Sequence, residues 1–279
     1  MFRIKNKDLF IDNIIAVITI IITLLFLAPY LYLFFSSIKP PQSVFSSPPS
    51  FFPNEFSLMN YINAIGTDSI VKFFTNSIII AVLSTMISVL IGALAAYSIS
   101  RFKLKILNIF LVCALITRMI PLTSIAVPIY RIVSNLGMRD SRLALGAVYI
   151  SINLPLIIWM MVSFFESIPR ELDEAALIDG CNRLEAFFKI ILPLTLPGLA
   201  TTSIFSFMLS WNDFLFALLL TSNNAKTVPV ALSDFLSVYN LQLGTMAAVA
   251  ILFSLPVMIF TFLVQKHIVA GLTLGSVKG

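Results

Sequence analysis

Residues 13–38 read NIIAVITIIITLLFLAPYLYLFFSSI, an unbroken run with no charged side chain between Asp12 and Lys39. A helix needs about 20 mostly apolar residues to cross the hydrocarbon core of a bilayer, so this stretch is long enough to span one. Working outward, similar windows lie between Lys72 and Arg101, Lys105 and Arg131, Arg142 and Glu166, Lys189 and Lys226, and Asp234 and Lys266. Only Arg118 and Asp213 interrupt them. The pattern predicts an all-α membrane protein, one transmembrane domain over 1–279 with six spans at roughly 13–37, 73–99, 106–130, 143–165, 195–220 and 245–266. Alternating strand patterns are missing, which argues against an outer-membrane barrel.

Composition agrees. Of 279 residues, 59% are hydrophobic and 11% charged, with mean hydropathy +1.00. Ordinary globular chains carry about 25% charge, so the apolar excess has to face lipid. The net charge of +5 is spread over scattered basic residues that make no basic face, which excludes a nucleic-acid partner. One set of loops holds Arg3, Lys5, Lys7, Arg101, Lys103, Lys105, Arg170, Arg183, Lys189, Lys266 and Lys278; the other holds Lys39, Lys72, Arg131, Arg139, Arg142 and Lys226. The richer side is expected to be cytoplasmic, which places both termini inside a multi-pass inner-membrane protein. The first run is too long for a cleaved signal and lacks an A-x-A site, so it reads as a retained anchor. Cys113 and Cys181 are expected to be free thiols. His267 stands alone, giving no support to a metal site or to acid–base chemistry.

Two loops stand apart. From Lys39 to Ser69, prolines 40, 41, 48, 49 and 53 alternate with serines, predicting an extended outer segment. It serves either as a connector or as a docking face for an outside partner. The inner segment 167–193 carries more information. Pro169 fits the first turn of a helix, Glu171, Asp173 and Glu174 suit its positive dipole end, and Ile168, Leu172 and Ala176 form a narrow apolar stripe. Asp179-Gly180 supplies a stop. Asn182 and Glu185 then have capping-box spacing, and Leu184, Phe187, Phe188 and Ile191 fall on one helical face. Two short helices joined by a glycine elbow are expected at the inner surface. They either lie in the membrane interface or pack into a partner's groove; small alanines and acids favour the groove.

Glu174-Ala175-Ala176, three residues, Gly180, nine residues and Ile190-Ile191-Leu192-Pro193 follow the E-A-A-x(3)-G-x(9)-I-x-L-P pattern. With Ser210-Trp211-Asn212-Asp213-Phe214, Thr227-Val228-Pro229-Val230 and the tail Gly271–Gly279, the chain resembles, over nearly its whole length, the permease subunits of binding-protein-dependent ABC importers. It is most similar to the carbohydrate-uptake branch and to the smaller permease of maltose-type transporters. The resemblance implies a coupling helix in which Glu174, Ala175, Ala176, Leu177, Asp179 and Gly180 meet an ATPase subunit. It also implies an outer loop over Ser222–Tyr239, including Thr227, Val228 and Pro229, that reaches a binding protein, and a tail (267–279) whose Gly275, Ser276, Val277, Lys278 and Gly279 touch the ATPases. The implied partners are a second homologous permease, two ATP-binding subunits, an extracytoplasmic sugar-binding protein, the sugar itself and membrane lipid. No Gly-Lys pair exists for a phosphate loop, so this chain is expected to bind no cofactor and to be no enzyme, with ATP and Mg held by partner subunits.

Burying Arg118 or Asp213 at mid-membrane costs about 2.5–3.5 kcal/mol on insertion scales, so each should face a partner or a wet cavity. Trp211, Asn212 and Asp213 either meet a sugar along the pathway or pack helices near the outer interface. Arg118 either joins the pathway or pairs with Asp213. The rival function is a self-sufficient secondary transporter, which calls for paired ionisable groups at mid-membrane.

Overall fold

The computed structural model describes residues 2–45, 50–66, 68–102, 104–235 and 242–273. Every described regular element is helical, as the apolar windows predict. Two compact units emerge, each assembled from two pieces of chain: residues 1–68 with 232–254, and residues 69–231 with 255–279.

In the first unit, α1 runs Phe2–Ser37 and α2 spans Met59–Ile65. Between Asp12 and Ser37, α1 buries none of its most apolar stretch against the rest of the chain, the surface expected of a helix bathed in lipid. The proline-rich segment is not simply extended: it opens with a 3-10 turn at Pro41–Phe45 and ends in α2. Buried Asn60 ties it down, donating to the carbonyls of Ser37 (3.0 Å) and Lys39 (2.7 Å). The Lys39 ammonium donates to the Ser50 carbonyl.

In the second unit, α3 (Asp68–Arg101) and α6 (Arg142–Glu166) are long apolar helices. They cross closely at Gly92, where a Cβ would stand 2.5 Å from an Ile157 methyl. The third window is not one straight helix. It forms α4 (Lys105–Thr117) and α5 (Leu122–Asn135), bent by 98°. Pro121 accounts for the break, since it removes an amide donor and bars α geometry from the residue before it. The fifth window is broken as well. The short helices α7 (Glu171–Ile178), α8 (Arg183–Ala186) and α9 (Leu192–Leu194) precede α10 (Leu196–Trp211). The chain bends 81° where the α8–α9 stretch meets α10. Asn212–Phe214 then separates α10 from α11 (Leu215–Leu220).

Between α8 and α9, residues 187–191 form a π-turn, with the Leu192 amide reaching back to the Phe187 carbonyl. The chain continues through α12 (Val228–Asp234) to α13 (Leu243–Thr273), so residues 267–273 of the expected tail are helical. The positions 275–279 assigned to ATPase contact lie outside the described residues.

Two apolar cores fill the second unit. One gathers Ile80, Leu145, Tyr149, Phe216 and Leu220. The other gathers Ala96, Tyr97, Met161, Phe165, Phe187 and Ile191 beneath the loop that carries α7 and α8.

Candidate functional site: a braced helical elbow

The loop after α6 is built as a rigid piece. α7 starts at Glu171, two residues beyond Pro169 rather than around it. At its far end Asp179-Gly180 closes a Schellman motif: the Cys181 amide bonds the Ala176 carbonyl (3.0 Å) and the Gly180 amide bonds the Leu177 carbonyl (3.2 Å). Gly180 has φ +89° and open space around it, so a side chain there would be strained by backbone conformation alone. The capping box then starts α8. The Glu185 amide donates to Asn182 Oδ1 and the Asn182 amide to Glu185 Oε2, both at 2.9 Å. These bonds, first the backbone one and then the Lys189 ammonium, lower the Glu185 pKa.

A buried ionic knot fastens the loop to the end of α3. Asp173 lies on the inner face of α7 and pairs with Arg101 Nε at 2.8 Å. It also accepts from the Tyr97 hydroxyl. Arg101 donates onward to the carbonyls of Phe165 and Ile168, each at 3.2 Å. Arg170 reaches the other way and donates to the Ser100 carbonyl at 2.7 Å. Below the knot the rings of Tyr97, Phe165 and Phe187 meet with centroids 4.9–6.0 Å apart. A charged pair withdrawn from water needs such additional bonds to offset its desolvation.

Among the expected coupling residues, Glu174, Ala175, Leu177, Asp179 and Gly180 all face outward. Ala176 does not; at 1% exposure it packs against the body of the unit, which corrects its expected place on the contact face. The apolar faces read from the sequence also divide. Phe187 and Ile191 are fully buried, whereas Leu184 and Phe188 are exposed. Ile178, which periodicity did not single out, is 85% exposed. The loop therefore shows water an apolar and acidic surface on an immobilised helix.

Deeper in the unit, Arg118 sits at the bend between α4 and α5 and donates to the Ile152 carbonyl of α6 (3.2 Å). Asp213 accepts from the Tyr149 hydroxyl of the same helix (2.9 Å) and from the Ala217 amide (3.1 Å), capping α11. The two charges thus meet α6 separately; the expected alternative of a pair between them is not formed. Trp211 is 1% exposed and stacks on Phe207 at 5.3 Å, so in this conformation it supports the helix from within. Asn212 is exposed, and its amide donates to the Met208 carbonyl. A polar seam missed from the sequence joins three helices here: Asn153 donates to Ser210 Oγ (2.8 Å), as does Ser84 (3.2 Å).

The loop following α11 is pinned as firmly as the one after α6. The Asp140 carboxylate accepts the backbone amides of Ser222, Asn223, Asn224 and Ala225 at 2.9–3.1 Å. Burial works to raise its pKa, but the four amides outweigh burial and hold it far below the usual carboxylate range. Asn76 grips the Asn224 and Lys226 carbonyls, and the Val228 amide bonds Ser77 Oγ. Thr227 and Val228, expected to face a binding protein, are buried at 4% and 1%, and Pro229 is half-buried. They anchor the loop; Ser222–Asn224 are its exposed part.

Comparison with known proteins places this architecture. Over residues 88–273 the chain matches the family described as binding-protein-dependent transport system inner membrane component. It is 36% identical over 254 residues to the sulfoquinovosyl glycerol transport system permease protein of Agrobacterium fabrum, covering 91% of this chain and 89% of that one. It is 37% identical over 256 residues to the trehalose transport system permease protein of Mycobacterium tuberculosis, covering 91% and 93%. Its fold superposes on a chain of a bacterial ABC transporter involved in importing the acidic polysaccharide alginate, with TM-score 0.78 and 24% identity, covering 93% of this chain and 97% of that chain. The chain belongs to the binding-protein-dependent transport system inner membrane components.

Proposed function

We propose that this chain is the permease subunit of an ATP-driven sugar importer, forming half of a translocation pathway with a second, homologous permease. The observation that carries this reading is the elbow: a short helix clamped to α3 through Asp173 while Glu174, Ala175, Leu177 and Ile178 stay open to a partner. A rigid lever transmits displacement, and a loop free to flex would absorb it. The motor is a pair of separate ATP-binding subunits, since this chain carries no phosphate loop. Both termini are cytoplasmic, with the elbow on the inner face and the Asp140-pinned loop on the outer face. The exposed Ser222–Asn224 is the part of that loop available to an extracytoplasmic binding protein. ATP binding moves the elbow and opens the path outward; hydrolysis resets it. The path takes a glycoside, a reading supported by the substrates in the two relatives' names. Arg118, Asn212 and Asp213 are its candidate polar contacts, with Trp211 behind them. Gly275–Gly279 are the tail residues assigned to contact with the ATPases.

Crosslinking tests the central claim. Single cysteines at Glu174 and Ile178 in the assembled transporter should capture an ATPase subunit, more strongly when ATP is bound. Failure of both positions to capture one overturns the coupling role.

A further inference from the structure

The loop between α11 and α12 is surrounded by positive charge. Lys72 on α3 donates from its ammonium to the Asn224 side-chain oxygen at 3.3 Å. Arg139 and Arg142 flank Asp140, whose carboxylate holds the amides of Ser222–Ala225 and whose own amide bonds the Leu220 carbonyl at 2.8 Å. The Arg139 guanidinium lies 5.0 Å over the ring of Tyr130, and Arg131 is the next residue of α5. All four cations are exposed, and none is ion-paired among the described residues. Acid is scarce in the same place. In the segments that build it, 69–76, 130–144 and 221–231, Asp140 is the sole acidic residue, and its carboxylate is turned onto the loop amides. The crest inside the charges, Ser222–Asn224, is exposed and uncharged, and Asp140 fixes its shape.

We infer that Lys72, Arg131, Arg139 and Arg142 form a basic collar that docks an acidic face of the extracytoplasmic binding protein onto the Ser222–Asn224 crest. The inference rests on the permease reading above, which puts this loop outside. Charges of one sign on a rigid rim focus the local field and steer an oppositely charged surface into register, acting on encounter and specificity more than on final affinity. A protein is the occupant, rather than lipid headgroups, because the charges are gathered around a polar crest: Lys72 is held against Asn224, and Arg139 and Arg142 bracket the residue that pins the loop. A folded acidic surface can match both the charges and the hydrogen-bonding groups between them.

The test measures how much of the transporter's own sugar-loaded binding protein is needed for half-maximal ATPase stimulation, with the complete transporter in phosphatidylcholine nanodiscs. That concentration should rise several-fold from about 0.05 M to about 0.5 M NaCl, a change that shortens the Debye length about threefold. The double variant Arg131→Glu/Arg139→Glu should raise it about tenfold at low salt and flatten the salt dependence, while Arg131→Lys/Arg139→Lys stays close to the parent. Co-purification of the ATPase subunits identifies assembled variants. A parent response indifferent to salt overturns the inference without recourse to any variant, as does a Glu variant that behaves like the parent. So does an effect seen only when phosphatidylglycerol is added to the nanodiscs, which would assign the collar to headgroups. In each of these cases stimulation itself persists and the permease reading stands; absence of any stimulation would bring down both.

Discussion

The two pinned loops of the second unit solve the same problem by opposite chemistry. At the elbow a carboxylate, Asp173, is buried and satisfied by side chains, Arg101 and Tyr97, that belong to a spanning helix. At the other loop a carboxylate, Asp140, stands near water and is satisfied by backbone amides alone. The first arrangement fixes one helix against another, which suits the force-transmitting role proposed above. The second fixes the shape of a loop whose outer residues stay exposed, so it presents a surface. A side-chain pair in low dielectric fails heavily when one partner is lost, whereas four amides returned to water can be solvated.

That contrast can be broken by mutation. Asp173→Ala strands the Arg101 guanidinium in a site that is 6% exposed; removing one member of a buried pair costs about 3–5 kcal/mol. The variant should lose ATP-dependent uptake and unfold at a clearly lower temperature in calorimetry. An unchanged melting temperature would show that the knot bears no load. Gly180→Val strains the left-handed elbow by about 1–2 kcal/mol. It should leave ATPase activity poorly stimulated by sugar-loaded binding protein, while Gly180→Asn, which tolerates positive φ, retains most stimulation. Equal behaviour of the two variants would remove conformation as the cause.

Asp140→Ala should cost about 1 kcal/mol, the scale of a lost amide-capping acceptor. Protease nicking should rise at 222–225 with the elbow unaffected. The same carboxylate predicts an acid dependence. Because its folded pKa is depressed, its contribution is present above the ordinary aspartate value of about 3.9 and is lost as pH falls below it. Nitroxide mobility at Asn223 should increase over that range in the native protein and stay flat in Asp140→Asn. At the bottom of the scale, Lys189→Ala removes an exposed pair with Glu185 and should leave both melting and coupling unchanged.

Much of this was legible in the residues. Apolar windows announce helices because a bilayer demands a fixed length, and the Asn182–Glu185 and Asp179-Gly180 signals are local, so the elbow could be drawn without tertiary knowledge. The breaks could not. Pro121 marks where the third window can break, but the run is apolar enough to cross straight, and the 98° by which the chain turns appears only in three dimensions. Arg101 entered the sequence reading as a loop charge and Asp173 as one of three acids at a helix start. Which acid faces inward depends on the rotation of α7, although Asp173 and Ala176, three residues apart, share a face and are both buried. Asp140 carried one faint signal, an Arg-Asp turn between two apolar windows. Its φ of +56°, the one positive value among described non-glycine residues, appears only in three dimensions.

The π-turn at Phe187–Ile191 acts as a phase setter. An i+5 turn carries one more residue than an α-turn, and one residue is worth about 100° of helical rotation. Deleting Lys189 would thus do more than shorten the chain: it would swivel everything upstream against α10, roll Phe187 away from its ring partners and turn the Glu174 surface to a different side. The direction in which the lever points is encoded in a single surplus residue.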